Sequence, residues 1–378
     1  MSHTRTDISS QRRVQRRAPD ASGPGNGRRV RTGGDTPSVG LKFLLHLHPP
    51  TIPADSAKFT YTFGLGGLAL FSFLVTALTG IVLLFFYTPT PEAAHASMEH
   101  IRSVLPYGWY IRNLHFWAAQ VMVVAVVLHM TRIVLTGGYL RGRRFNWLIG
   151  LLLLVFTLIM DFTGFPLRWD AGTHWALVVG THLVQNFPVM GARLYRLIVG
   201  GPEVSGVTLL RFYTWHGFGL PFLAGAFITY HIFRVRKDGG ISSRPADVRT
   251  PRIRRESLLG KEIVFALIMM SVLSLLAALF AAPLGDPAAQ GVQLHDAEAP
   301  WIFLGIQFML RFLPPVVAGF VIPLGFLLFW SLLPVMDTRE SEQGRWLARG
   351  RKIYWGTFLS SVGILVLATL AEKLLIAW

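Results

Sequence analysis

The chain has 378 residues, 52% of them hydrophobic, with a formal net charge of +16 and no cysteine. Its mean hydropathy of +0.46 and several apolar runs near the ~20 residues that cross a bilayer predict an integral membrane protein. The positive residues lie in loops and in an N-terminal tail, and no nucleic-acid-binding module is visible, which argues against nucleic acid as a partner. Without cysteine, the chain cannot form disulfides or cysteine-ligated centres.

The N-terminal segment, residues 1–58, is rich in Arg, Gly, Ser and Pro and lacks an apolar run. This composition predicts a basic, largely disordered tail that could contact anionic membrane lipid. Seven spans of an all-α integral membrane protein follow, predicted at about 61–87, 112–136, 146–164, 211–234, 261–281, 314–334 and 354–376.

Lysine and arginine indicate how these spans are oriented. They concentrate in the N-terminal tail and in the loops at 137–146, 234–262 and 335–352. Because positive residues favour the cytoplasmic side, we expect a cytoplasmic N-terminus and a C-terminus outside a bacterial inner membrane. The second and fourth spans then run in the same direction.

Those two spans each carry two histidines at nearly equal spacing. His115 and His129 are 14 residues apart, and His216 and His231 are 15 apart. At about 100° per residue, each pair lies on one helix face, separated by about 21–22 Å along the axis. With both spans running the same way, His115 would pair with His216 and His129 with His231. Imidazoles are common axial ligands of haem, so the pattern predicts two non-covalent, bis-histidine haem b groups, one near each membrane face.

Glycines in the neighbouring spans repeat the histidine interval. Gly66 and Gly80 in the first span are 14 residues apart, as are Gly150 and Gly164 in the third. Glycine lets a bulky neighbour approach a membrane helix closely, so we expect these four to leave room for the two haem planes.

Arginines lie at the ends of the histidine-bearing spans. Arg112 and Arg211 precede the first histidine of their spans, and Arg132 follows His129. They are placed to pair with haem propionates, with interfacial snorkelling as the alternative. Arg236, with Lys237, is predicted to supply positive charge to an inner quinone pocket, with simple inside-positive anchoring as its alternative.

The chain resembles cytochrome b of the Rieske/cytochrome b complexes, most nearly cytochrome b6 fused to subunit IV, over about residues 60–376. The resemblance rests on TGIVLLFFYTPT at 79–90, GWYIRNLH at 108–115, LHMTRIVLTGGY at 128–139, TGFPLRWD at 163–170, LLRFYTWH at 209–216 and RKDGGIS at 236–242. It implies a dihaem four-helix bundle at 59–242, followed by a subunit IV-like three-helix domain at 243–378.

The resemblance also implies a function. Such a subunit belongs to a quinol:electron-acceptor oxidoreductase, in which an outer pocket oxidises quinol and an inner pocket reduces quinone. One electron goes to a separate Rieske iron–sulfur protein and onward to a cytochrome c-type or other acceptor subunit. The other electron crosses the bilayer through two haems, and a homodimer is the expected assembly.

Two departures from the family fall at the predicted outer pocket. Where the family has Pro-Glu-Trp-Tyr, with the glutamate taking a quinol proton, this chain has Ala-Pro-Trp-Ile at 299–302, and where it has Leu-Pro-Trp-Asp, this chain has an arginine, Arg168. Glu298 and then His295, just upstream, are the predicted replacement proton acceptors. A solvated acidic loop is the alternative. Gly64 stands at the position of the cysteine that binds haem covalently in the b6 branch, which argues against covalent haem here.

Two other functions remain open from the sequence. The altered outer pocket is compatible with a dihaem membrane anchor that passes electrons to a partner redox subunit without bifurcation. Intramembrane histidine and arginine are also compatible with a haem-free proton or ion transporter.

Overall fold

The structure is a computed structural model that describes residues 51–243, 251–288 and 298–376. The predicted tail up to residue 50 and the candidate acceptor His295 therefore lie outside the described residues. In chain order the helices are α1 (Phe59–Thr62), α2 (Leu65–Leu84), α3 (Ala94–Ser103), α4 (Gly108–Thr136), α5 (Arg144–Gly164), α6 (Ala171–Gln185), α7 (Gly191–Val199), α8 (Gly206–Thr214), α9 (Leu220–Lys237), α10 (Arg255–Leu279), α11 (Leu304–Leu310), α12 (Ile322–Met336) and α13 (Lys352–Ile376).

Seven helices in the described part of the chain are long and apolar enough to cross a membrane. They confirm the predicted fold class, an all-α multi-pass membrane protein. The spans are α2, α4, α5 with its 3₁₀ extension, α8 joined to α9, α10, α12 with the π-turn before it, and α13 with the 3₁₀ turn before it. The only strands in the described ranges are β1 (Thr51–Pro53) and β2 (Arg252–Arg254), which pair antiparallel.

The fourth span contains a π-turn at Trp215–Gly219, between α8 and α9. Pro221, at the start of α9, lacks a backbone N–H, so it is tolerated only where the helical ladder is already interrupted. Single π-turns inside helices are frequent at functional sites. This one contains His216.

The first four spans pack in two pairs, α2 against α4 and α5 against α9. The last three spans lie on the outside of these pairs, with α10 against α4, α12 against α5, and α13 against α4. A buried cluster that includes Trp147, Trp330 and Phe358 fills the contact among α5, α12 and α13. The C-terminal helices therefore cover faces of the second and third spans.

Four helices of seven or more residues lie outside the spans and were not predicted from the sequence. Helix α3 lies between the first and second spans, α6 and α7 lie between the third and fourth, and α11 lies between the fifth and sixth. Helix α7 is amphipathic, because Tyr195 and Val199 are buried while Arg193 and Arg196 are exposed. Runs of this length are too short to span a bilayer, so the hydropathy of the sequence does not mark them as spans.

The structure places the four histidines at two levels. We call the level of His115 and His216 the His115 end, and the level of His129 and His231 the His129 end. The spans α4 and α9 both run from the His115 end to the His129 end, as the topology predicted.

A buried polar cluster at the His129 end joins the loop after α4 to the segments that follow α12 and precede α13. The Tyr139 hydroxyl donates to Asp337 Oδ2 at 2.8 Å, and Arg351 Nε donates to the same oxygen at 2.7 Å. Arg351 Nη2 also donates to the Val134 carbonyl at 2.9 Å. Burial raises the pKa of Tyr139 above its ordinary value, so its hydroxyl stays a donor. These contacts fasten the loop after α4 to α12 and α13.

Candidate functional site

At the His115 end, the two imidazoles face each other across the space between α4 and the fourth span. The ring centroids of His115 and His216 are 6.2 Å apart, with an interplanar angle of 76°. Two imidazoles bound on opposite sides of one metal, with bonds of about 2.0–2.1 Å, would have centroids about 6 Å apart. The spacing therefore fits a shared haem iron.

The outward-facing nitrogens of these imidazoles are anchored. His115 Nδ1 donates to the Thr76 carbonyl at 3.0 Å and lies 3.1 Å from the Thr79 hydroxyl. His216 Nδ1 donates to the Met160 carbonyl at 3.0 Å. A ligating histidine usually donates its other ring nitrogen to a carbonyl in this way, which fixes the tautomer. Nε2 is then left with its lone pair available for a metal.

At the His129 end, His129 and His231 are close enough to interact electrostatically. The Asn146 backbone lies close to the His231 imidazole, yet His231 Nδ1 makes no hydrogen bond of ordinary geometry within the described residues. His231 therefore lacks the carbonyl anchor that both imidazoles of the His115 pair have. Arg132, one turn beyond His129, is also buried, with 4% of its surface exposed.

Each predicted glycine lies against one particular histidine. A Cβ added at Gly66 would lie 3.1 Å from Cε1 of His129, and one added at Gly80 would lie 3.1 Å from Cε1 of His115. The one-to-one pattern was not foreseen, because the sequence indicated only that the intervals match. The glycines make room for the imidazoles themselves.

The glycines of the third span follow the same pattern with unequal tightness. A Cβ at Gly164 would lie only 2.5 Å from Cε1 of His216, whereas one at Gly150 would lie 3.7 Å from Cε1 of His231. The first distance is a severe overlap and the second is ordinary van der Waals contact. Close approach at Gly164 requires the missing side chain.

The arginines at the span ends have different partners. Arg112 donates to the carbonyls of Ala282 and Pro283 at 2.9 and 2.6 Å, and Arg211 Nη1 donates to the Leu197 carbonyl. The sequence assigned Arg112 and Arg211 to haem propionates. In the structure, some of their guanidinium donors are instead bonded to backbone carbonyls.

Arg132 differs from those two. Its Nε donates to the Tyr61 carbonyl at 3.2 Å, and its guanidinium lies 4.4 Å from the centroid of the Tyr61 ring. Its Nη2 is buried and has no hydrogen-bond partner in the described part of the chain. A buried donor without a partner points to an acceptor from outside the chain, and a haem carboxylate at the His129 end fits it.

Arg236 lies at the His129 end of α9, where it is partly exposed. Glu262 and Arg255 of α10 are the charged groups that interact with it. The surroundings of Arg236 are therefore mixed in sign, and its assignment to a quinone pocket stays a prediction.

The predicted acceptor Glu298 is held at the surface. Its Oε1 pairs with Nζ of Lys373 from α13, and 39% of the Glu298 side chain is exposed. A nearby ammonium group competes with a quinol hydroxyl for the carboxylate. The roles of Glu298 and His295 stay predictions.

One polar group near the His115 end escaped the sequence analysis. Asp161 lies in α5, three residues before Gly164, and its hydrogen-bonding neighbour is the Gln120 side chain of α4. The signal that could have found it was a carboxyl group within an apolar span, which is costly and therefore a functional candidate by default.

The seven spans and the two levels of paired histidines define the class of the protein: a multi-pass helical membrane protein with paired histidine ligands between its spans.

Comparisons with known proteins identify the family within this class. The family described as cytochrome b/b6/petB matches residues 53–239. Cytochrome b6 of Oltmannsiellopsis viridis is 40% identical over 175 residues, which cover 46% of this chain and 81% of that protein. Cytochrome b6 of Heliomicrobium gestii is 40% identical over 187 residues, covering 50% and 88%.

A solved structure titled "Hyperthermophilic respiratory Complex III" shares the fold with a TM-score of 0.72 and 23% identity, over 84% of this chain and 87% of that one. This chain belongs to the cytochrome b/b6 family, as the resemblance predicted. It is a cytochrome b subunit of a quinol oxidoreductase and an electron-transferring membrane protein that binds haem b. A haem-free transporter is therefore the wrong class.

Proposed function

We propose that the chain carries electrons across the bilayer through two b haems, between an outer site that oxidises quinol and an inner site that reduces quinone. The observation that carries the proposal is the His115–His216 geometry, with ring centroids 6.2 Å apart and both Nδ1 atoms bonded to carbonyls. The second haem is assigned to His129 and His231, which interact at the other end of the same two spans.

The side chains around the histidines have distinct roles in this proposal. The Thr76 and Met160 carbonyls hold the imidazole planes at the His115 end, and the facing glycines admit the rings. Arg132 Nη2, which is buried without a partner among the described residues, would donate to a haem propionate at the His129 end. Bound haem supplies a reversible one-electron couple, while the apolar spans keep water from the path between the two levels.

Orientation and the quinone sites belong to the same proposal. Positive loops put the His129 end on the cytoplasmic side of a bacterial inner membrane and the C-terminus outside. Quinol is then oxidised at the His115 end, and quinone is reduced at the His129 end near Arg236. A cation there lowers the cost of negative charge developing on the quinone.

The proposed assembly follows the family. The partners are a Rieske iron–sulfur protein, a cytochrome c-type or other acceptor subunit, membrane lipid and a second copy of this chain. Residues 59–242 form the dihaem four-helix domain, and residues 243–378 form the subunit IV-like three-helix domain. The covering of α4 and α5 by α10, α12 and α13 supports this division.

A quinol-driven reduction experiment on native membranes tests the proposal. With the complex intact, added quinol should reduce the haem nearer the outer surface and also the separate acceptor protein, because the two electrons of quinol take different routes. Dithionite should give the full haem signal in the same sample. Haem that dithionite reduces but quinol does not would contradict quinol oxidation at this chain.

The second candidate is a dihaem conduit that exchanges electrons with a partner subunit without bifurcation. Two observations favour it: the family glutamate is absent at 299–302, and Glu298 is paired with Lys373. The same experiment separates the two functions. In a conduit, quinol reduces the haems without simultaneous reduction of an iron–sulfur protein.

A further inference from the structure

The outer end of α5 carries a carboxyl group that no motif assigned. Asp161 precedes Gly164 by three residues and directly follows Met160, whose carbonyl accepts from His216 Nδ1. It therefore lies within one turn of the contacts that position the His216 imidazole. Its side chain is only partly buried, which leaves it reachable from between the helices.

Asp161 is joined to the segment that carries the altered motif. Trp301, the residue after Pro300, donates its indole N–H to Oε1 of Gln120. The Gln120 side chain also lies close enough to Asp161 to interact with its carboxyl group. With Oε1 occupied by the indole, its NH₂ group is the one able to donate to Asp161. Gln120 therefore connects the altered motif segment to the carboxyl group: its oxygen accepts from Trp301, and its NH₂ group can donate to Asp161.

Aromatic contacts bring the same elements together beside the carboxyl group. The ring centroid of Phe162, the next residue along, is 5.8 Å from that of Phe303 and 5.9 Å from that of Phe212. The end of α5, the 3₁₀ turn at Trp301–Phe303 and helix α8 therefore meet around the outer turn of α5. A flat, apolar quinol ring suits such aromatic walls.

Within the described residues, no ion pair involves Asp161. An amide donor satisfies part of a carboxylate but adds no positive charge to hold it ionised. Glu298, by contrast, is paired with the ammonium group of Lys373, which occupies its carboxylate.

We propose that Asp161 accepts a quinol proton at the outer site, doing the work of the family glutamate that this chain lacks. Gln120 and Trp301 are positioning residues that connect its carboxyl group to the altered motif segment. This inference rests on the proposed function, because it requires quinol to be oxidised at the His115 end.

Oxidation of one quinol to quinone releases two electrons and two protons. One electron goes to the iron–sulfur partner and the other to the haem at the His115 end. The Asp161 carboxylate takes the proton of one hydroxyl as that O–H bond breaks, and the proton of the other hydroxyl goes to water at the outer surface.

The test uses the intact complex in its membrane and compares Asp161→Asn with Asp161→Glu. The amide variant should slow quinol-driven reduction of the His115-end haem by about 10²–10⁴-fold, the range of a lost general base. Asp161→Glu should recover a large part of the rate, with a shifted pH profile, because a carboxyl group is restored. Glu99→Gln, a charge-neutralising change at a partly exposed residue of α3, is the matched control and should keep the wild-type rate.

The outcomes are separable. Dithionite reduction of both haems in each variant shows that the protein has folded and is loaded. A wild-type rate and pH profile in Asp161→Asn would overturn the inference, as would an Asp161→Glu variant no faster than Asp161→Asn. If Glu298→Gln alone slows the reaction, Glu298 is the acceptor instead. If wild type shows no quinol-driven reduction at all, the proposed function has failed, and the inference with it.

Discussion

The two ends of the bundle hold the polar atoms around their imidazoles in different ways. At the His115 end, the Nδ1 atoms of His115 and His216 both reach carbonyl oxygens. At the His129 end, His231 Nδ1, Arg132 Nη2 and Arg234 Nε are buried without hydrogen-bond partners among the described residues. The first end is preorganised by the chain itself. The second leaves buried polar atoms that the described residues do not satisfy.

The arginines also differ between the two ends in whether their donors have partners within the protein. This difference indicates where a charged ligand group would bind. At the His115 end, two donors of the Arg112 guanidinium are occupied by hydrogen bonds to the carbonyls of Ala282 and Pro283. Arg168 Nε, which also lacks a hydrogen bond there, lies 3.4 Å from Asp170 Oδ2. Among the described residues, Arg132 is the buried arginine that has a donor without a partner and no carboxylate paired with it. We therefore expect propionate binding by protein arginine to be stronger at the His129 end.

The largest effect is expected from adding a methyl group at the His115 end, where the contact between glycine and histidine is closest. In Gly164→Ala, the new Cβ would lie 2.5 Å from Cε1 of His216, and the ring cannot retreat without losing its bond to the Met160 carbonyl. We expect loss of the His115-end haem, seen as a fall from about two haems to one per chain by pyridine haemochrome assay. Gly150→Ala, with its 3.7 Å contact to His231, is the matched control and should keep both. Equal haem content in the two variants would show that the ends are equally tolerant.

The ion pairs that fasten the C-terminal helices also differ between the ends. Asp337 and Arg351 are both fully buried at the His129 end, while Arg311, paired with buried Glu372 near the other end of α13, is 47% exposed. Asp337→Asn leaves the Arg351 charge buried and unpaired, which should cost about 3–5 kcal/mol of stability. Glu372→Gln should cost less, because solvent reaches the guanidinium of Arg311. Thermal loss of the haem Soret band in detergent measures both, and a lower midpoint for Glu372→Gln would reverse the predicted order.

Arg132 gives a smaller and more local effect. Arg132→Gln should weaken haem retention at the His129 end by about 1.5–3 kcal/mol, the value of a hydrogen bond to a charged group. Arg112→Gln should keep both haems and instead loosen the segment at 282–283. Haem titration into depleted membranes, followed with limited proteolysis, distinguishes the two. Equal loss of haem in both variants would contradict the assignment of Arg132 as the propionate ligand.

The smallest expected change is at the predicted inner quinone site. Arg236→Gln should slow reoxidation of the His129-end haem by quinone several-fold at unchanged haem content, because a cation near the quinone favours its reduction. Lys237→Gln, one residue further on and exposed, controls for general loss of positive charge. If the two variants behave alike, Arg236 serves only as an inside-positive anchor.

The membrane spans and the positions of the four histidines could be predicted from the sequence, because both depend on patterns within single segments of the chain. A 14- or 15-residue interval determines which face of a helix two histidines share, and loop charge sets which spans run together. The glycine intervals were also visible, although their one-to-one pairing with imidazoles depends on how α2 and α5 pack, which no local pattern contains.

The rest depended on contacts between residues distant in sequence. Arg112 was assigned to a propionate from its place near His115, but its carbonyl partners lie about 170 residues away. The Asp337–Arg351–Tyr139 cluster joins residues up to 212 positions apart. Asp161 was visible as a charge in an apolar span, yet only the folded chain shows it beside Gln120 and the altered motif.

The assignment of four histidines to two haems can be tested by counting haem in wild type and in the matched variants His115→Ala and His129→Ala. We expect two b haems per wild-type chain by pyridine haemochrome assay, and one in each variant. The redox difference spectrum should show that each variant keeps the haem which the other loses, because each site draws one ligand from α4 and one from the fourth span. A wild-type count of zero, or a count of two retained in either variant, would contradict the four-histidine assignment.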